Sequence, residues 1–80
     1  MSNQEVYIKA FNAACGNYEF ILAAKLWIHL GNFKDIKKNI TTSSLERYMT
    51  YLIALDTVNQ DVYYNDKISQ IRRELNNREE

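Results

Sequence analysis

The sequence predicts an all-α fold, a small antiparallel helical bundle of about four helices in a single domain covering residues 1–80. Proline is absent, and the only two glycines, Gly16 and Gly31, fall where apolar patterns of helical spacing end. Nowhere do apolar and polar residues alternate as they do along a half-buried strand. Short connections between consecutive helices favour antiparallel neighbours, so these observations together indicate the bundle.

The two glycines divide the first third of the chain into two helices. Helix 1 is expected over residues 3–15 and helix 2 over residues 18–30, each followed by a glycine in the left-handed conformation that ends many helices. Asn17 is the expected N-cap of helix 2, because its side-chain oxygen can accept a hydrogen bond from a free backbone N–H group of the first turn.

Two segments follow in the middle of the chain. A short helical turn is expected over about residues 33–39. Ser43 followed three residues later by Glu46 has the spacing of a capping box, in which each side chain bonds a free backbone N–H group. This pair predicts that the third main helix covers residues 44–59.

The last main helix is expected over residues 62–77. Its apolar residues recur at spacings of three and four, which is the narrow stripe of a helix that packs along one side. Asp61 or Asn65 is the expected cap, since both residue types accept hydrogen bonds at helix starts.

Asp56, near the end of the third main helix, falls among apolar positions. A buried carboxylate needs a partner. One possibility is that Lys25, Arg72 or Arg73 pairs with it. The other, which we favour, is that the helix ends early and leaves Asp56 in solvent.

Helix 2 is apolar around most of its circumference. In the segment NYEFILAAKLWIHLGN, residues 17–32, Lys25 and His29 form a thin polar line and Glu19 lies apart from it. A helix that is apolar on nearly all sides must be covered, and three other short helices can hardly cover it while burying their own apolar faces. We therefore expect homo-oligomerisation to complete the bundle, with a well-packed monomer as the alternative.

Composition and charge limit the possible partners. Ten basic residues balance ten acidic ones, so nothing in the overall charge attracts phosphate backbones or anionic lipid. Residues 18–30 would form a helix about 20 Å long, shorter than the ~30 Å hydrocarbon core of a membrane. The first ten residues lack the basic and apolar regions of a secretory signal. We expect a cytoplasmic protein with neither a nucleic-acid nor a membrane partner.

The sequence offers little for catalysis or for binding a cofactor. Cys15 and His29 are the only thiol and imidazole, and a hairpin turning near residue 16 separates them by roughly 18 Å of helix rise. No metal-ligand spacing and no glycine-rich phosphate loop occurs. We therefore expect no enzyme activity, no metal and no cofactor.

Aromatic residues are abundant, with six tyrosines, three phenylalanines and one tryptophan. Tyrosine provides a large contact area at low entropic cost and is enriched at binding surfaces, although the same rings can equally form the core. The residues predicted for a partner or self interface are Tyr48, Tyr51, Leu55, Tyr63 and Trp27.

These observations lead to a hypothesis about function. We expect a small helical interaction protein that binds and modulates a partner protein, as inhibitors, immunity proteins and accessory regulators do. Richness in Asn, Ile, Lys and Tyr would suit the AT-rich genome of a phage or plasmid.

The segment ITTSSLERY, residues 40–48, resembles the turn and recognition helix of the helix-turn-helix in phage-type repressors. The resemblance implies a DNA-binding regulator that uses residues 33–48. Its candidate nucleic-acid contacts are Lys34, Lys37, Lys38 and Arg47. The pattern needs small or apolar residues where this chain has Lys34, Asp35 and Lys38, so binding a protein is our first hypothesis and binding DNA the alternative.

Overall fold

Helices account for nearly all of the described chain. The computed structural model describes residues 3–79, and the predicted all-α fold is confirmed, since no strand occurs within that range. The helices are α1 (Asn3–Gly16), α2 (Phe20–His29), α3 (Phe33–Ile36), α4 (Thr42–Asn59) and α5 (Val62–Arg78), with a 3₁₀ turn (Lys37–Asn39) directly after α3. The short helical turn predicted over residues 33–39 is therefore present.

The junction between α1 and α2 differs from the prediction. Gly16 is the last helical residue of α1, and the left-handed residue is Tyr18, with φ of 59°. The backbone N–H of Glu19 donates to the carbonyl of Ala14 at 2.8 Å, and that of Tyr18 donates to the carbonyl of Cys15 at 3.2 Å. This is a Schellman motif with tyrosine where glycine is usual. Helix α2 therefore begins two residues later than predicted.

The expected N-cap of α2 is also wrong. The position before the helix is Glu19, whose side chain makes no capping hydrogen bond, and Asn17 lies within the turn instead. Gly31, in contrast, has a φ of 86°, as predicted for the residue that closes this helix. Glycine adopts this φ without strain, whereas a residue with a Cβ atom would be strained there.

The caps of the two long helices confirm one prediction and correct another. Thr41 caps α4, because its side-chain oxygen accepts a hydrogen bond from the backbone N–H of Ser44 at 3.1 Å. The capping box that begins at Ser43 is therefore wrong, and the helix starts one residue after Thr41. Of the two predicted caps of α5, Asp61 is the one that caps the helix, accepting from the backbone N–H of Tyr63 at 2.9 Å.

The main helices pack as two antiparallel hairpins. In the first, α1 and α2, the Gln4 side-chain amide donates to the carbonyl of Leu30 at 2.9 Å, so the start of α1 lies beside the end of α2. In the second, α4 and α5, the Arg78 guanidinium donates to the Thr42 hydroxyl at 3.1 Å. Asn12 joins the hairpins, because its side chain donates to the carbonyl of Asn39 and accepts from the backbone N–H of Thr41.

The core lies between the two hairpins and is rich in aromatic rings. Its buried apolar residues are Ile8, Phe11, Ala14, Cys15, Ala23, Trp27, Leu30, Ile36, Ile40, Leu45, Tyr48, Leu52, Ile68 and Ile71. The Trp27 ring stacks on Tyr48 with centroids 5.0 Å apart, and Phe11 meets the edge of Tyr48 at 5.1 Å. Rings from α1, α2 and α4 therefore meet at one point.

Asp56 does not lie beyond the end of its helix, as we had favoured. Helix α4 continues to Asn59 and closes with Gln60 in the left-handed conformation. Among residues 3–79, the Asp56 Oδ1 atom is buried without a hydrogen-bond partner, so no basic side chain pairs with it. An unpaired buried oxygen costs stability, because the group loses its hydration and gains nothing in return.

Candidate functional site

The outward side of α2 is an exposed apolar face. We call this face the α2 surface and define it by Tyr18, Ile21, Leu22, Lys25 and Ile28, all of which are exposed. Ile21 keeps 71% of its side-chain surface accessible and Ile28 keeps 74%. Single exposed apolar residues are common on monomers, but here several lie on the same side of one helix, together with the polar residues Lys25 and His29.

A shallow groove continues the α2 surface towards α4. Its volume is about 530 Å³, and its walls include Phe20, Leu22 and Tyr51. The ring of Phe20 stacks on that of Tyr51 with centroids 5.2 Å apart. These two stacked rings therefore form the wall of the groove between α2 and α4.

The orientation of α2 follows from its smallest and largest residues. Ala23 and Trp27, one turn apart, are the two residues of α2 that are buried. Lys25 therefore points away from the core, as expected from its position opposite Trp27. At 100° per residue Ile21 and Ile28 lie about 40° and 60° from Lys25, so they share its exposure.

Sequence reasoning missed Ile21, Leu22 and Ile28 as candidate binding residues. The pattern contained a signal, because the polar residues Lys25 and His29 mark the outward side of the helix and the isoleucines lie on that side. We had instead treated the whole helix as needing cover. Within residues 3–79 the chain covers only one side of it.

The residues predicted for an interface fall into three groups. Trp27 and Tyr48 are 7% and 2% exposed and contact other rings, so within this chain they belong to the core and present little surface to a partner. Tyr51 and Leu55 are partly buried against that core, and Tyr51 also lines the groove beside α2. Tyr63 is exposed at the start of α5.

The four basic residues of the DNA-binding alternative do not lie together. Lys34 and Lys37 line one cavity between α3 and α5, whereas Lys38 is exposed and does not line it. The Arg47 guanidinium lies over the Tyr18 ring at 4.8 Å and donates to the carbonyl of Gly16 at 3.4 Å. Arg47 thus supports the turn between α1 and α2.

The thiol and the imidazole are placed in different environments. Cys15 is fully buried, and this burial raises the pKa of its thiol to about 12, although the nearby Arg47 acts in the opposite direction. His29 is exposed at the other end of α2, where its ring stacks on Tyr7 at 5.1 Å. A protonated, buried thiol is a poor nucleophile.

The described residues show neither a metal site nor a membrane span. Residues 3–79 contain no group of three or more His, Cys, Asp or Glu side chains that could hold a metal ion. In the same range no helix has the length and apolar character to cross a membrane. Comparisons with protein-family models, with curated proteins and with solved structures found no match.

Proposed function

We propose that the protein is a non-enzymatic binding module that receives a partner protein on the α2 surface. The main support is the contiguous exposure of Ile21, Leu22 and Ile28 on one helix, beside a groove walled by aromatic rings. Exposed apolar patches with a polar margin are typical of protein-binding sites. The buried thiol of Cys15 agrees with a role that involves no catalysis.

The energetics of this surface indicate the chemistry of the partner. Fully burying an isoleucine is worth about 1.5–3 kcal/mol, so Ile21 and Ile28 can each supply roughly 1–2 kcal/mol. With Leu22 the total is about 3–5 kcal/mol, less than the ~8 kcal/mol of a micromolar complex. A stable partner must therefore also fill the groove or place a carboxylate against Lys25. We propose a helix or loop with apolar side chains and one such acidic residue.

The biological class of the protein is part of the same proposal. A small helical module with an exposed apolar face fits an inhibitor, an immunity protein or an accessory regulator that acts by covering another protein. Size and composition are the support for this class, including the assignment to a phage or plasmid and to the cytoplasm.

Homo-oligomerisation on the same surface is the second candidate. Ile21 and Ile28 are seven residues apart, which is the repeat of apolar residues in paired helices. Two copies joined through α2 would complete a larger bundle and cover both isoleucines. Lys25 lies between them, and in a symmetric antiparallel pair two lysines would approach each other and repel, so we rank this candidate below a different partner protein.

One pair of variants tests both candidates. In Ile28→Glu a charge replaces an apolar side chain on the α2 surface, and in the matched control Val58→Glu the same change is made on α4 at a side chain that is 80% exposed. Neither position is in the core, so both variants should keep the parental melting temperature.

Capture of proteins from a lysate and sedimentation at micromolar concentrations are then compared for the parent and both variants. The proposal expects a protein that the parent and Val58→Glu retain at high salt and that Ile28→Glu loses. A mass above 9.5 kDa that only Ile28→Glu reduces would instead identify a second copy as the occupant. If Ile28→Glu behaves as the parent does in both measurements, the α2 surface is not a binding surface.

A further inference from the structure

A second cavity lies between α3 and α5, and its lining is mostly charged and polar, unlike that of the α2 surface. Its volume is about 520 Å³, within the range of small-molecule sites. Four basic residues and one acidic residue line it, together with amide side chains. The charged residues are Lys34, Lys37, Lys67, Arg73 and Glu74. We call this cavity the basic groove.

The local sequence explains why these side chains converge. On α5, Ile68 and Ile71 face the core, so Lys67, Gln70 and Glu74, spaced by three and four residues, form a neighbouring row along the helix. On the other wall, Asn32 caps α3 and accepts from the backbone N–H of Lys34 at 3.0 Å. One wall of the basic groove is therefore a row along α5, and the other begins at the capped start of α3.

Two neighbouring cations already balance the negative charge of Glu74, the acidic residue in the basic groove. The Glu74 carboxylate accepts a hydrogen bond from the Arg78 guanidinium at 2.8 Å and lies 3.3 Å from the Lys37 ammonium. The hydrogen bond from Arg78, followed by the contacts with Lys37, lowers the pKa of this carboxyl group although burial opposes the shift. Glu74 therefore stays ionised while two cations compensate its charge.

The other cations of the basic groove have no such partner. Within residues 3–79, Lys34 and Arg73 are in no ion pair, and the Lys67 ammonium lies 5.5 Å from the centre of the Tyr63 ring. Among the described residues no carboxylate forms an ion pair with these three side chains, and all three line the same cavity. An anion bound in the cavity would be attracted by all three positive charges.

We propose that the basic groove binds a compact anion that carries two or more phosphate groups. Arginine and lysine bind phosphate oxygens through charge-assisted hydrogen bonds, and the Gln70 side-chain amide can add a neutral donor. A chain without net charge attracts a long polyanion poorly, so a small multivalent ligand fits this local cluster better than a nucleic-acid backbone does. The phosphates can be free, as in inorganic triphosphate, or can belong to a nucleotide.

Calorimetric titration with inorganic triphosphate, at physiological salt, tests the proposal on the parent and on two matched pairs of variants. Arg73→Gln and Lys34→Gln each remove a charge from the basic groove. Arg72→Gln and Lys38→Gln remove the same charges from neighbouring exposed positions that do not line it. The first pair should weaken binding about tenfold or more, as expected for a lost charge-assisted hydrogen bond, and the second pair less than about twofold.

Two further titrations identify the source of the phosphates and test the main alternative. ATP binding tighter than triphosphate, with the same loss in Arg73→Gln, assigns the site to a nucleotide, whereas equal affinities assign it to the phosphates alone. Equal weakening by Arg72→Gln and Arg73→Gln would show a diffuse surface effect and overturn the proposal. The proposal would also be overturned if triphosphate does not bind, including the case in which duplex DNA binds and triphosphate does not. Ile28→Glu should bind triphosphate as the parent does, which separates this site from the α2 surface.

Discussion

Replacement of Trp27 by alanine is the most demanding test of the described core. This side chain is buried at the junction of the two hairpins, where its ring meets those of Phe11, Phe33 and Tyr48 at centroid distances of 5.5, 5.6 and 5.0 Å. Removing it leaves these three rings without their shared partner. The other helices cannot close the space without giving up contacts of their own.

The size of the effect follows from the burial. Truncating a buried tryptophan costs about 3–5 kcal/mol of unfolding free energy, whereas a domain of this length has roughly 4–12 kcal/mol in total. With an unfolding entropy of about 0.17 kcal/mol per degree, the melting temperature should fall by about 18–30 °C. His29→Ala, which removes an exposed ring stacked on Tyr7, should cost at most about 1 kcal/mol, or about 6 °C.

Thermal melts of both variants and the parent, followed by circular dichroism, provide the measurement. Trp27→Phe serves as a second control, because it keeps a ring in the cluster and should melt between the parent and Trp27→Ala. If Trp27→Ala melts within a few degrees of the parent while His29→Ala loses its fold, the inward and outward sides of α2 have been exchanged. The α2 surface would then be wrong as well.

Three other predictions concern single residues. Gly16→Ala should raise the free energy of unfolding by about 0.5–1 kcal/mol, because a Cβ atom there meets only the Arg47 guanidinium at 3.9 Å. Gly31→Ala should lower the free energy of unfolding, because φ at this position is 86°. Melting temperatures of the two variants that move in the same direction would contradict this prediction. Glu74→Gln should cost about 1 kcal/mol in urea unfolding at neutral pH, and the exposed Glu46→Gln almost nothing. Because the pKa of Glu74 is lowered from 4.5 in the folded state, its contribution is present above that value and is lost as the pH falls through the lowered pKa, a loss that Glu74→Gln should lack. The Cys15 thiol should resist a thiol reagent at about pH 8 until urea unfolds the chain, because it is buried and its pKa is raised to about 12. Equal rates of reaction in the folded and the unfolded chain would refute its burial.

The sequence predicted the helices better than it predicted their first residues. Apolar spacing located every main helix, because a helix must bury a stripe and the stripe is visible in the sequence. The caps were harder, because Asn17, Thr41 and Ser43 are all residue types that can cap, and tertiary contacts decide between them. Asn12, for example, accepts a hydrogen bond from the backbone N–H of Thr41 and so ties that residue to α1.

The candidate surfaces depended even more on tertiary structure. No local pattern could place Lys34 and Arg73 in the same cavity, since 39 positions separate them in the sequence and only the tertiary fold brings α3 and α5 together. Tyr48 was ambiguous for a similar reason, because a tyrosine on a wide apolar face suits a core and an interface equally well. Its burial is settled by Phe11 and Trp27, which belong to other helices.

The position of Trp27 also determines what a spectroscopist would see. As the only tryptophan, it reports through its fluorescence on α1, α3 and α4, whose rings surround it. Among residues 3–79 its ring contacts are with these helices and none is with α5, so its emission reports directly on the rings around it, whereas circular dichroism reports on every helix. Coincident transitions by the two probes would therefore mean that the helices unfold as one cooperative unit, and separated transitions would mean that part of the chain unfolds independently of the ring cluster.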